Sequence, residues 1–242
     1  MIRIIVGVLF LATFLLVSYL FFPILNRMEK TKKDKISLSV VQWGFRTILK
    51  IAGTKVTVIG KENIPDEAAL FIGNHRSYFD ILLTSVQYDR MMGFVAKDSM
   101  KKFPSLNIWM SHIYCLFLNR EDPREGMKVI LQAIDFVKSG ISIFIFPEGT
   151  RNKGEELSML PFKEGSFKIA TKSGCPIVPV SINNSAEIFE NHFPLLKKTH
   201  VIIEYGKPIY PKEMSREELK GIGAKCQAII QETINKNAGL VE

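Results

Sequence analysis

Apolar residues dominate the start of the chain, and polar ones enter sharply behind them. Residues 4–25 carry no charge at all. At about 1.5 Å per residue, a helix of that length could cross the roughly 30 Å hydrocarbon core of a bilayer. A secretory signal peptide would need a shorter apolar region and a small-residue cleavage site, and neither is clear here. Residues 36–53 have apolar positions at helical spacing, Trp43 and Phe45 among them, but are too polar to span comfortably. Two readings fit this second helix: an amphipathic helix in the interface with Trp43 near headgroup level, or a core helix of the following domain. If the two helices form a hairpin, the N-terminus enters only one leaflet.

From Lys55 onward, short apolar runs alternate with helical patterns. Residues 55–59, 69–73, 93–96, 113–118, 141–146, 177–182 and 201–205 read as strands. Residues 123–139 place Met127, Val129, Ile130, Ala133, Ile134 and Val137 on one helical face, with Gly140 as the stop. Helices are also predicted from Ser77, over 163–173 and over 215–236, the last started by the cap in "SREE". The alternation predicts an α/β fold: a mostly parallel or mixed sheet flanked by helices, preceded by the hydrophobic helix and the amphipathic one. The domain division is 1–53 for the membrane-associated helices and 54–242 for the α/β domain with its C-terminal helix. There is no internal repeat.

Charge adds a direction. The 32 Lys and Arg outnumber 24 Asp and Glu, for a net charge of +8, which suggests an anionic partner. Arg27, Lys30, Lys32, Lys33 and Lys35 follow the apolar run, whereas one Arg precedes it. The positive-inside rule then puts the domain on the cytoplasmic side of the membrane, and the same cluster suits anionic lipid headgroups. A nucleic-acid partner would explain the charge but neither the apolar N-terminus nor the polar strand ends described next. Cys115, Cys175 and Cys226 are widely spaced, and the four histidines show no metal-ligand spacing, so neither a disulfide framework nor a metal site is supported.

Four predicted strands end in polar clusters: Asn74-His75, Lys97, Asn119-Arg120 and Pro147-Glu148-Gly149-Thr150-Arg151. In open α/β sheets, ligands bind outside the carboxyl ends of the strands. The basic members suit an anionic ligand, Arg by bidentate recognition and Lys as a point charge. The segment "NHRSYFD" has a structural reading of its own. Ser77 and Asp80 fit a capping box, which would leave His75 an ordinary loop histidine. The chemical reading starts from what is missing. There is no G-x-S-x-G elbow, no Walker loop, no G-x-G-x-x-G and no cysteine with an adjacent base in sequence. Direct transfer remains, with His75 deprotonating a substrate hydroxyl that attacks an activated acyl group, and Asp80 orienting the imidazole. A thioester donor suits this scheme, because a thiolate of parent pKa about 8.5 leaves without much acid help. The capping and catalytic roles of Asp80 do not exclude each other.

"NHRSYFD" resembles the first block of the phospholipid/glycerol acyltransferase superfamily, and "FPEGTR" the third. In this order and spacing, over about residues 51–210, the blocks resemble those of the 1-acylglycerol-3-phosphate acyltransferases. The resemblance implies acyl transfer from acyl-CoA or acyl-carrier protein to the sn-2 hydroxyl of lysophosphatidic acid at a membrane. Another lysophospholipid acceptor, or a non-catalytic lipid-binding protein, is the alternative. It implies His75 as general base and Asp80 as its partner, with Arg120 and Arg151 as ligands of the acceptor phosphate. Glu148, Gly149 and Thr150 would border that pocket, with Glu148 hydrogen-bonding acceptor hydroxyls or pairing with an Arg. Lys97 matches a lysine near the reacting carbonyl, or is a surface residue. Pro179, in "IVPVSI", matches the fourth block, linked to donor binding, or only shapes its strand. No metal or cofactor is implied beyond the acyl donor. The second block departs from the usual G-x-x-F-x-D-R: Tyr114 stands at the Gly place and Asn119 at the Asp place. Asn152 follows Arg151 where the family often has Ser. These departures bear on acceptor and acyl-chain choice.

Overall fold

The computed structural model describes residues 1–119 and 122–241. Two long helices come first, α1 (Ile2–Asn26) and α2 (Lys30–Ala52), followed by β1 (Lys55–Ile59), β2 (Leu70–Gly73), α3 (Phe79–Ser85) and β3 (Met92–Lys97). Then come α4 (Pro104–His112), β4 (Leu116–Leu118), α5 (Pro123–Lys138), β5 (Ser142–Ile145) and α6 (Lys168–Ser173). The chain closes with β6 (Ile177–Asn183), β7 (His200–Tyr205), α7 (Arg216–Lys220) and α8 (Ile222–Asn237). The seven strands form one mixed sheet in the order β1-β7-β6-β2-β5-β3-β4. Only the β6–β7 pair is antiparallel. The contiguous parallel set β2-β5-β3-β4 therefore delivers its four carboxyl ends to one edge, with Asn74-His75, Lys97, Asn119 and the segment from Pro147 to Arg151 behind them.

Side-chain alternation fixes which face each strand residue covers. Phe71, Phe94 and Phe144 point to one face and stack, with ring centroids 6.1 Å apart for Phe71–Phe144 and 5.5 Å for Phe94–Phe144. They share that core with Phe79 and Leu83 of α3 and with Leu49 and Ala52 of α2. Leu70, Ile72, Ile143 and Ile145 point to the other face, where Ala133, Ile134 and Val137 of α5 meet Ile230 and Ile234 of α8. The central strands are buried on both sides, which is why they read as continuous apolar runs.

Several boundaries differ from the sequence reading. Helix α2 begins at Lys30, because the lysine-rich run carries no helix breaker and lysine is a good helix former. Residues 113–118 are not one strand. Ile113 caps α4, Tyr114 turns left-handed at φ 60°, and only Leu116–Leu118 pairs. Residues 215–236 are not one helix, since Gly221 ends α7 and starts α8, although the capping box of Ser215 and Glu218 is present as expected.

The core reading of the second helix holds for one face of α2. Its buried Gln42 donates to the carbonyls of Ser85 and Tyr88 at 2.7 and 2.8 Å, tying α2 to the end of α3. Trp43, next in sequence, is exposed. Helix α1 lies lengthwise against α2 and α4. Trp109 donates its indole N–H to Ser18 Oγ at 2.7 Å, Ser105 donates to the Leu15 carbonyl at 2.8 Å, and Phe22 packs against Trp109. The rest of α1 is bare: Ile5, Leu9, Leu16, Leu20 and Phe21 are exposed. An apolar groove of about 450 Å³ runs between α1, α2 and α4.

The β3–β4 pairing tolerates no extra volume at Gly93. A Cβ there would meet the carbonyl carbon of Tyr114 at 2.8 Å. Gly93→Ala is expected to lower stability by about 2 kcal/mol, read from the denaturant midpoint. Gly126→Ala, in α5 with Leu118 Cδ1 at an ordinary 3.7 Å, is expected to be neutral or stabilising in the same assay.

Candidate active site

Beyond Gly73 the chain leaves the sheet but stays anchored to it. Asn74 is buried and exchanges two hydrogen bonds with Ile182 of β6, donating at 2.9 Å and accepting at 2.8 Å. His75 is next and is held from four sides. Its N–H donates to Glu148 Oε1 at 2.6 Å, and its carbonyl accepts from the Asn152 N–H at 2.7 Å. Its ring lies on the Phe146 ring, with centroids 4.2 Å apart. Its Nδ1 sits 2.8 Å from Asp80 Oδ2.

Asp80 is fully buried in the first turn of α3. The same Oδ2 accepts the N–H groups of Arg76 and Ser77, each at 2.8 Å. An acceptor oxygen that already collects two backbone N–H groups is best matched by a third donor, so the contact is made by Nδ1–H. That fixes the tautomer with Nε2 free to take a proton, and Nε2 has no hydrogen-bond partner among the described residues. The capping reading is half present. Asp80 reaches back to the Ser77 N–H, while Ser77 Oγ accepts from Phe79 at 3.0 Å instead of closing the box on Asp80.

Glu148 is buried and spends both oxygens on backbone donors, Oε1 on His75 and Oε2 on Leu160 at 2.8 Å. Among the described residues it makes no ion pair with an Arg. Burial pushes its carboxyl above the ordinary value, against the pull of those two N–H groups. Gly149 turns left-handed at φ 73°, and a Cβ there would meet Lys163 Nζ at 2.7 Å. Thr150 is exposed. Lys97, the last residue of β3, is exposed at the same sheet edge. Pro179 lies within β6 opposite Ile72. Arg120 lies outside the described residues.

Arg151 stands apart from the imidazole. Its guanidinium lies 3.5 Å from the centroid of the Tyr78 ring and donates to Glu190 at 3.1 Å. It lines a cavity of about 400 Å³ with Arg76, Tyr78, Lys153 and Phe193, a wall to which His75 does not contribute. The segment Ser77-Tyr78 separates the two.

The family departures acquire structural causes. Tyr114 needs a positive φ, where glycine is the easy residue. Its hydroxyl donates to Asp34 at 2.7 Å, so its ring faces α2 and not the site. Asn152 is buried and ties its own loop, accepting from Gly154 at 2.8 Å and donating to the Ser158 carbonyl at 2.7 Å. Three further residues had been given no role from the sequence. Arg76 is buried and donates to the carbonyls of Gly154 and Glu155 at 2.9 and 2.8 Å, with Glu156 3.3 Å away. Phe146 is the plate beneath His75, and Glu190 joins the Ser77 loop to Arg151. The only signal for the first two was their place inside the quoted blocks, Arg76 in "NHRSYFD" and Phe146 in "FPEGTR"; Glu190 gave none. Cysteine chemistry finds no support, because burial pushes the thiols of Cys115 and Cys226 up to about 12.

The site thus has a histidine at a strand end held by a carboxylate in the next helix, and sequence comparison places the chain in a class of transferases. The family profile named Acyltransferase matches residues 55–183, and the chain belongs to that family. It is 28% identical over 194 residues to the 1-acyl-sn-glycerol-3-phosphate acyltransferase of Saccharomyces cerevisiae, covering 79% of this chain and 64% of the relative. It is 35% identical over 156 residues to the enzyme of that name from Borreliella burgdorferi, covering 64% and 62%. The chain thus spans less than two thirds of the length of these relatives. The crystal structure of the 1-acyl-sn-glycerophosphate acyltransferase PlsC from Thermotoga maritima superposes with a TM-score of 0.77 at 25% identity, over 97% of each chain.

Removing the Glu148 carboxylate strands two backbone donors at once. Glu148→Ala is expected to cost about 2 kcal/mol or more in denaturant unfolding. The raised carboxyl sets the pH sign. Stability contributed by neutral Glu148 is complete below the ordinary 4.5 and is lost as pH rises through the raised value. The wild type should therefore lose stability relative to Glu148→Gln as pH climbs through that window.

Proposed function

We propose that this protein moves a fatty acyl group from a thioester donor to the sn-2 hydroxyl of 1-acylglycerol-3-phosphate, making phosphatidic acid. The observation that carries the reading is the 2.8 Å contact between His75 Nδ1 and buried Asp80, which leaves Nε2 as the basic position. In the reaction, Nε2 takes the proton of the acceptor hydroxyl as its oxygen attacks the thioester carbonyl. The new C–O bond forms, the C–S bond breaks, and the thiolate leaves with the proton that His75 holds. Asp80 stays ionised throughout and steadies the imidazolium. Arg151 is the phosphate anchor, its guanidinium at the wall of a cavity that Arg76 and Lys153 also line, with Arg120 as its proposed companion. Lys97, Gly149 and Thr150 are assigned to the substrate groove at the sheet edge. The structural part of Glu148 in this reading is to join the His75 loop to the loop after β5. The donor is acyl-CoA or acyl-carrier protein, and the basic surface suits the acidic carrier.

The substrate is a lipid, and the exposed side of α1 supplies the place to meet it. Because α1 packs against α2 through Phe10 and Phe14 and is hydrogen-bonded to α4 at Leu15 and Ser18, we infer that it lies in one leaflet together with the apolar groove and does not cross the bilayer. The basic first turns of α2 then sit at cytoplasmic headgroups. This assigns residues 1–53 to membrane association while leaving the inner face of α2 in the domain core.

His75→Ala is expected to reduce acyl transfer by about a thousandfold with the melting curve unchanged. Acylation at the wild-type rate in that variant would end the proposal. Arg151→Ala should raise the KM for the phosphorylated acceptor by about tenfold or more and leave the donor KM alone. An unchanged acceptor KM would point instead to a lysophospholipid without a terminal phosphate.

A further inference from the structure

One carboxylate links the two halves of the site. Glu190 lies beyond β6, 113 residues from Ser77 and 39 from Arg151 in the chain. Its Oε2 accepts from Ser77 Oγ at 2.6 Å. Its Oε1 accepts from the Tyr78 N–H at 2.8 Å and from Arg151 Nη1 at 3.1 Å. Its side chain is 19% exposed and that of Arg151 25%, so the pair is largely out of water. A partly desolvated, charge-assisted contact of this kind orients its donor far better than a surface ion pair does. The bond leaves Arg151 a single pose: one Nη on Glu190, the guanidinium plane on Tyr78, and the remaining N–H groups available to the cavity. Ser77 and Tyr78 are also the residues whose loop Asp80 organises, so Glu190 fixes Arg151 in the frame of the histidine.

We propose that Glu190 is a positioning residue for the acceptor. It holds Arg151 to the turn that carries His75, so that an acceptor anchored by its phosphate on Arg151 is presented to Nε2 in a fixed orientation. The proposal rests on the reading of Arg151 as the phosphate ligand. It opposes a simpler idea, that Glu190 is a resident anion competing with the phosphate for Arg151, and the two differ in sign. A positioning carboxylate raises the acceptor KM when removed. A competitor lowers it.

Glutamine separates hydrogen bonding from charge. In Glu190→Gln, Oε1 still accepts from Tyr78 and Arg151, and Nε2 can donate to Ser77 Oγ, so the frame survives without the charge. The experiment measures steady-state kinetics of the full-length protein in detergent-lipid micelles, with lysophosphatidic acid as varied acceptor and an acyl-CoA as donor. The variants are Glu190→Ala, Glu190→Gln, Arg151→Ala and the double alanine. Glu190→Ala is expected to raise the acceptor KM by about tenfold, with the donor KM unchanged, and Glu190→Gln to restore it to within about threefold of wild type. The double alanine variant should match Arg151→Ala alone, because Glu190 acts through Arg151. A lower acceptor KM in either Glu190 variant overturns the proposal. So does an acceptor KM raised by Arg151→Ala but untouched by Glu190→Ala, or penalties that add in the double variant. An acceptor KM unmoved by Arg151→Ala is a different failure, that of the phosphate reading itself. Should Glu190→Ala fold poorly, Glu190→Gln with an acceptor KM more than tenfold raised is enough to overturn the hydrogen-bond account.

Discussion

A single oxygen atom organises this site. Asp80 Oδ2 receives His75 Nδ1 and the backbone N–H groups of Arg76 and Ser77, all at 2.8 Å. Away from water, three such donors on one oxygen give the loop one conformation. The other constraints follow from where that loop is. Asn74 ties its start to β6, Glu148 joins it to the loop after β5, Asn152 holds the His75 carbonyl, and Phe146 supports the imidazole. Parallel β2 and β5 bring these pieces together because both end at the same sheet edge.

The rest of the site hangs from the same loop. Tyr78 supports Arg151 with its ring, and Glu190 bonds Ser77, Tyr78 and Arg151 together. The cavity beside Arg151 and the imidazole of His75 are therefore two stations on one rigid turn. Helix α1 plays a third part: its inner stripe packs against α2 and is bonded to α4, and its outer face is apolar and bare. In the proposed function this apolar face is the membrane contact, and its attachment to the scaffold would let the fold set the approach of a lipid substrate.

The sheet was legible because buried parallel strands must be apolar on both faces, and "LFIG" and "ISIFIF" are. The spacing of His75 and Asp80 was legible because the contact closes within one turn of chain. Two kinds of feature were not. The end of α4 and the start of β4 depend on the left-handed turn at Tyr114, a residue with no local signal for positive φ. Contacts between segments far apart in sequence were equally silent: Glu190 is an ordinary acidic residue until β6 and the loop behind it bring it to Arg151. Glu148 shows a third case. The residue was visible in its motif, but its bonding to the His75 and Leu160 N–H groups belongs to the fold. Arg120 lies outside the described residues.

The central claim is that Asp80 sets the tautomer of His75. Nitrogen-15 NMR of histidine-labelled protein reads this directly, at a pH where the imidazole is neutral, with the His75 signals assigned by their loss in His75→Gln. The account predicts a protonated Nδ1 and a bare Nε2 for His75. A protonated Nε2 in the folded wild type would contradict it, because the nitrogen that faces the substrate would then have no lone pair with which to accept a proton.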